Sequence, residues 1–348
     1  RGCVAVSMPK PDLKEFEALT ELDELRRLVS DLQMRLRRSR SEKADLVEAV
    51  RKGAQDALAA FGPIKPVTAP KTDSRKKRAE VALWHLTDWQ GAKVTSTYNT
   101  EVMRQRVMAF CDKTAQITEM QRAVRPVREA VILFGGDMIE GLFNFPSQPF
   151  EIDSSLFGQF ADVARLEADV VRRALAIYEH VTVIGEWGNH GRVGSKRSAV
   201  PRSDNIDRMT YALAREILAG EDRLIWDDSP EDIQHVEIGN YRALLIHGDE
   251  IGRNGFASPM TMVNHVAKWK SGAHPWPFRD CYVGHYHNHS EWSLPDGEGA
   301  LYQTGSPESD NRYARDTMAS AGRPTQRLHF IDHDRGRVAA QFKVWLED

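Results

Sequence analysis

Residues able to hold a metal ion recur in this chain at one kind of place. Each time, a short apolar run gives way to a residue with a metal-ligating side chain, usually with glycine beside it. Val81–Leu86 leads to Asp88 and Gln90. Ala130–Phe134 leads to Gly135, Gly136 and Asp137. Val181–Ile184 leads to "EWGNHGRVG", which contains Asn189, His190 and Arg192. Ala243–Ile246 leads to His247, and Cys281–Val283 leads to Gly284, His285 and His287. Imidazole and carboxylate are ligands of zinc, manganese and iron, and an amide oxygen suits a hard ion such as manganese. One carboxylate shared between two cations would hold them about 3.5–4 Å apart, the separation of two-metal phosphoryl-transfer sites. The neighbouring glycines let the backbone turn sharply and come close to a bound ion.

Alternating elements must position these groups. The apolar runs read as strands. Helical patterns lie between them: Met103, Val107, Phe110, Ile117, Met120 and Val124; then Phe160, Val163, Leu166, Val170, Ala174 and Ile177; then Ile206, Met209, Leu213 and Ile217, closed by Gly220 as a C-cap. This alternation predicts an α/β fold. Ligands of such sheets bind beyond the carboxyl ends of the strands, so all five clusters are expected on one rim. His85, inside a strand, reads as a core histidine, and His289 as a loop residue. Asp249 and Glu250 are candidates to orient His247. Trp84, Trp89 and Trp187 serve either packing or base stacking.

The rest of the chain sets bounds. A length of 348 residues accommodates one large domain plus an appendage, and the net charge of −3 gives no global attraction to nucleic acid or membrane. Three scattered cysteines without a C-x-x-C predict reduced thiols and a cytoplasmic setting, the host cytoplasm if the chain is phage-encoded. No apolar stretch is long enough to span a bilayer, and residues 1–10 make a poor signal peptide. Residues 1–60 read as an N-terminal helical segment in which Leu22, Leu25, Val29, Leu32 and Leu36 form a heptad seam. The seam predicts a short coiled coil joining subunits; a helix docked on its own domain is the alternative. Residues 61–80 read as an extended proline-rich, basic linker, and 81–348 as the catalytic domain.

The order and context of the five clusters resemble the calcineurin-like metallophosphoesterase superfamily. Its pattern is D-x-H, G-D, G-N-H-[D/E], H and G-H-x-H. Here the matching residues are Asp88-Trp89-Gln90, Gly136-Asp137, Gly188-Asn189-His190, His247 and Gly284-His285-Tyr286-His287. The resemblance spans roughly residues 80–345 and implies a two-sheet α/β sandwich flanked by helices. It implies two divalent ions, manganese first, with zinc, iron or magnesium as alternatives. Asp88 and His287 would hold one ion; Asn189, His247 and His285 the other; Asp137 would bridge them. A hydroxide between the ions would attack phosphorus, while His190 serves the leaving oxygen. Arg192 is expected to hold a phosphate oxygen.

The resemblance breaks at two positions. Gln90 stands where the family has histidine, as a weaker neutral ligand or as a support beside the ligands. Gly191 replaces the acid that follows the motif histidine, so another group must set the tautomer of His190.

The stretch "GGDMIEGLFNF" lacks the Arg-Gly of protein serine/threonine phosphatases. "HLTDWQGAKVT" is closer to the DNA-processing branch, which includes double-strand-break-repair nucleases and the small subunit of archaeal family-D polymerase. Between Gly191 and Arg202 stand four basic residues (Arg192, Lys196, Arg197, Arg202) and no acid, a loop suited to a nucleic-acid backbone. The expectation is a divalent-metal-dependent phosphodiesterase acting on nucleic acid, DNA first. The alternatives are a phosphomonoesterase, a cyclic-nucleotide phosphodiesterase, or a degenerate metal-bearing binding module.

Overall fold

Every residue of Glu80–Leu86 (β1) is buried, which a strand achieves only in the middle of a sheet covered on both faces. A computed structural model shows how. It describes residues 52–53, 64–142, 144, 147–193, 204–251, 257–310 and 322–347. The heptad seam Leu22–Leu36 and nearly all of the 1–60 segment lie outside these residues. So do Lys196, Arg197 and Arg202 of the basic loop.

β1 pairs in parallel with Val127–Phe134 (β2), and β2 in parallel with His180–Gly185 (β3). Leu224–Asp227 (β4) continues the parallel order. On the other side, Thr325–Asp332 (β10) runs antiparallel to β1 and pairs with Arg337–Trp345 (β11). The six-stranded order is β11-β10-β1-β2-β3-β4. A second sheet of five strands has the order β5-β6-β7-β9-β8. Its members are Gln234–Ile238 (β5), Tyr241–Ile246 (β6), Asp280–Val283 (β7), Ser290–Ser293 (β8) and Ala300–Gln303 (β9). In it β6, β7 and β9 run parallel. The predicted two-sheet α/β sandwich is therefore the observed fold.

Between the sheets, Leu83, Val131, Leu133 and Ile184 meet Val236, Ala243, Leu245 and Tyr282 in one apolar cluster. Each Val, Leu or Ile side chain among them contributes about 1.5–3 kcal/mol on burial. Thr100–Arg122 (α1), Leu156–Ile177 (α2) and Ile206–Ile217 (α3) belong with the first sheet; Trp84 of β1 meets Phe110 of α1 edge to face. Pro259–Lys268 (α4) covers the second sheet through Met262, Val263 and Val266. These four helices begin on an Asn or Ser side chain that accepts a bond from the first turn, at Asn99, Ser155, Asn205 and Ser258.

Three local expectations change. The stripe of α1 does not stay apolar: Met120 and Val124 are exposed, and the buried face continues instead through Thr114 and Thr118. Gly220 does not cap α3, which ends at Ile217 with Leu218 as its cap, and Gly220 is not left-handed. The stretch 64–79 is extended but fastened down. Arg75 pairs with Asp73 and donates to the Arg122 carbonyl at 2.8 Å, while Arg78 pairs with Asp332 and Asp334. Of the basic residues Lys71, Arg75, Lys76, Lys77 and Arg78 in this linker, two are thus already ion-paired. Residues Ala57–Asp348 form one compact unit.

Candidate metal centre

The five predicted strands all exit on one rim. β1, β2 and β3 bring Asp88, Gln90, Asp137, Asn189 and His190 from the first sheet. β6 and β7 bring His247, His285 and His287 from the second. The loops after β1 and β2 remain hydrogen-bonded to each other past their strands. Asp88 N donates to the Gly136 carbonyl at 3.0 Å and Gln90 N to the Asp137 carbonyl at 2.9 Å. This pins the first pair of candidates against the third.

Sharp turning falls largely on the candidates themselves. Asp88, Gln90, Asp137, His285 and His287 all have left-handed backbones, with φ of 56°, 44°, 53°, 65° and 55°. A non-glycine residue there costs on the order of 1 kcal/mol or more, and such strain collects at functional sites. Several neighbouring glycines serve a different need. A Cβ on Gly188 would lie 2.0 Å from Asp137 Oδ1, and one on Gly284 would lie 2.5 Å from Asp88 Oδ2.

Asp137 is the centre of one cluster. Its Oδ2 lies 3.0 Å from His247 Nε2, and its Oδ1 accepts the His190 backbone N–H at 2.7 Å. His247 Nε2 lies 3.2 Å from His285 Nδ1. Asp137, His247 and His285 each offer one ligand atom, and the three lie within 4.8 Å of one another. His247 Nδ1 faces the Gly135 carbonyl at 2.8 Å and donates to it, so Nε2 is the ring nitrogen turned toward Asp137 and His285. That carbonyl orients His247. Asp249 pairs with Arg192 instead, and Glu250 accepts from Gly248 N. Burial opposes the charge on Asp137, but His247 and His190 outweigh it and hold the carboxyl well below the usual range. Burial likewise opposes charge on His247, and Asp137 overrides it and raises the imidazole well above its ordinary value. His285 moves the other way, lowered by burial and by its neighbour His247.

Asp88, Gln90 and His287 form a second group. His287 Nε2 lies 3.4 Å from Asp88 Oδ1 and 3.1 Å from the Gln90 amide nitrogen. The Asp88 carboxylate also accepts the His285 backbone N–H at 2.9–3.0 Å, which ties the two groups together. Burial pulls His287 down, but Asp88 and Glu308 bring it up to about 10.

Two buried amide oxygens, Asn189 Oδ1 and Gln90 Oε1, have no hydrogen-bond partner among the described residues. An unpaired buried carbonyl oxygen costs about 1–3 kcal/mol. A divalent cation is an occupant that would satisfy both. The donor set of carboxylate, imidazole and amide oxygen fits manganese, zinc or iron.

His190 stands apart. Its Nδ1 lies 2.9 Å from the Glu140 carbonyl oxygen and 3.2 Å from the Glu140 carboxylate, while Nε2 lies 3.9 Å from Asp137 Oδ2. Glu140 thus supplies the orienting acid that position 191 lacks. Position 191 has no room for one, because a Cβ there would meet Asn205 Oδ1 at 2.1 Å. Burial lowers His190, and the charges of Asp137 and Glu140 overcome it, up to about 9. Arg192 spends one amino group on Asp249 and is only partly exposed. Trp84, Trp89 and Trp187 are fully buried, so all three pack and none offers a face for stacking.

Several residues that hold the site together were not anticipated. Asp207, in the first turn of α3, accepts from Asp137 N and Gly188 N at 2.9 Å each and from Met138 N at 3.1 Å. It bolts the loop after β2 to the loop after β3, and burial with the charge of Asp137 pushes its carboxyl up to about 6. Glu308, after β9, sits 2.9 Å from His287 Nδ1. Lys93 bridges Glu140 and Glu151 at 3.1 and 2.8 Å. The one available signal for Asp207 was its place beside a helix-capping asparagine in "DNIDR"; for Glu308 it was the stretch "TGSPESD" following an apolar run.

No protein-family model matches the chain, and no curated protein matches it. Solved structures with a similar backbone exist. One is Vps29 of Entamoeba histolytica complexed with zinc, 12% identical, covering 76% of this chain and 99% of that one, with a TM-score of 0.35. Another is a predicted phosphoesterase of Streptococcus pneumoniae, 11% identical, covering 76% and 98%, with a TM-score of 0.28. A third is phosphopantetheinyl hydrolase of Mycobacterium tuberculosis, 10% identical, covering 69% and 94%, with a TM-score of 0.30. At these identities the likeness concerns the backbone and assigns no substrate. Among the described residues, no helix is long and apolar enough to cross a membrane.

Proposed function

We propose that this chain is a divalent-metal-dependent phosphodiesterase of the calcineurin-like metallophosphoesterase type, acting on nucleic acid, DNA first. The observation that carries the metal reading is the cluster of Asp137, His247 and His285 within 4.8 Å, together with the buried, unpartnered oxygen of Asn189. Asn189, His247 and His285 would hold one ion, Asp88, Gln90 and His287 the other, and Asp137 both. Divalent cations held there act as Lewis acids on a phosphoryl oxygen and provide a nucleophile near neutral pH. His190, kept protonated by Asp137 and Glu140, donates a proton from Nε2 to the leaving oxygen. Arg192 lies one position beyond the Asn189-His190-Gly191 turn, and its ion pair with Asp249 fixes the guanidinium at that edge. The nucleic-acid reading draws on this arginine and on the acid-free sequence up to Arg202.

The test is direct. The full chain, with Mn(II), is offered labelled single- and double-stranded DNA, bis(p-nitrophenyl) phosphate and p-nitrophenyl phosphate. Cleavage of DNA and of the diester is the expected result. Turnover of the monoester alone would overturn the nuclease reading, and metal binding with no turnover would favour a binding module. The partner expected beside the substrate is a second copy of the chain through residues 1–60. Light scattering on the full chain and on one lacking them should show a larger assembly only for the first.

A further inference from the structure

The turn after β9 reaches the same rim as the five predicted clusters, because β9 runs parallel to β7. It is tied to the Asp88 group at two points. Ser306 Oγ donates to the Asp88 carbonyl at 2.6 Å and accepts the Glu308 N–H at 2.8 Å. The Glu308 carboxylate, with its side chain 1% exposed, faces His287 Nδ1 at 2.9 Å. From outside, Arg106 of α1 fixes the turn by donating to the Pro307 carbonyl at 2.7 Å and to Ser309 Oγ at 2.8 Å. A fully buried carboxylate is expensive unless something uses it. Here it is aimed at the imidazole that shares its half of the site with the neutral Gln90.

We propose that Glu308 is the positioning residue of the Asp88–Gln90–His287 half-site: by holding the Nδ1 proton of His287 it turns Nε2 inward and strengthens it as a donor, offsetting the weak amide at position 90. A carboxylate behind a ligating histidine fixes its tautomer and raises its basicity, and losing such a partner typically costs 10–100-fold in metal affinity. The inference rests on the metal-dependent reading above. It adds that the chain replaces the strength of a missing ligand with a hydrogen bond from a different loop.

The full-length, metal-stripped chain is titrated with Mn(II) by calorimetry at fixed pH. Two classes of site are expected. Glu308→Gln, which keeps the size of the side chain, should leave the tighter class unchanged and weaken the other about 10–100-fold; the intact tight class reports that the fold persists. Gln90→His in the Glu308→Gln background should recover most of the loss. In the metal-free chain the His287 Nδ1–H proton resonance should move upfield in Glu308→Gln. If both classes bind as in the wild type, or both weaken together, the role assigned to Glu308 is wrong. If the wild type itself binds no Mn(II), the metal reading fails instead.

Discussion

The two halves of the candidate centre are built differently. Around Asp137, the buried imidazole of His247 and the partly buried one of His285 converge, and His247 is locked by a backbone carbonyl. Around Asp88, one imidazole and one glutamine converge, and the imidazole is locked by a carboxylate. The first half gains its strength from ligand types, the second from what stands behind a ligand. The comparison teaches that a metal site cannot be ranked from its direct ligands alone. It also predicts unequal affinities, with one ion held tightly and one more loosely.

The largest expected effect comes from the residue common to both halves. Asp137→Asn removes the shared negative charge while keeping the shape. Several kcal/mol of transition-state stabilisation should go with it, a loss on the order of 10³-fold in kcat/KM on a diester chromogen. Activity within tenfold of wild type would remove Asp137 from the bridging position. Next is His190→Ala, expected to cost about 10²-fold on DNA and much less on a substrate with a p-nitrophenolate leaving group, which needs no proton. An equal loss on both substrates would place His190 elsewhere in the reaction.

Gly191→Asp restores the acid of the family pattern, yet it should harm the protein. The new Cβ collides with Asn205 Oδ1, and overpacking of this kind costs about 1–3 kcal/mol, read from denaturant unfolding. A smaller effect, read per pH unit, concerns the weaker half. In the metal-free chain His287 is raised to about 10, above its ordinary value of 6.5. The sign follows: its stabilising charge is fully present below pH 6.5 and is lost as pH rises toward 10. Binding a cation must displace that proton, so Mn(II) affinity of the weaker class should rise about tenfold per unit between pH 6.5 and 9, with roughly one proton released. Calorimetry in buffers of different ionisation enthalpy measures the release.

Much of this was legible in the sequence because the information is local. The strands β1, β2, β3, β6 and β7 each carry a short, largely apolar run, and each ends in a motif of two to four residues. The order of those motifs pointed to one rim, and the sheets deliver all five there. What was not legible depends on distance along the chain. Asp207 acts 70 positions from Asp137, and Glu308 acts on a histidine of another loop, so neither belongs to a contiguous pattern. The short, alternating strands β4, β5 and β8 expose every other residue and resemble polar loops. The Gly191 substitution read as the loss of an acid. In the structure it reflects lack of space, with Glu140 supplying the acid from the next loop.

The central claim is that Asp137 sits between two cations. Anomalous diffraction from a crystal of the full chain grown with Mn(II) tests it most directly. Two peaks are predicted about 3.5–4 Å apart, one against Asn189, His247 and His285, the other against Asp88 and His287, with the Asp137 carboxylate touching both. A map with no peak beside that carboxylate, in a crystal where Mn(II) is bound elsewhere, would contradict the account.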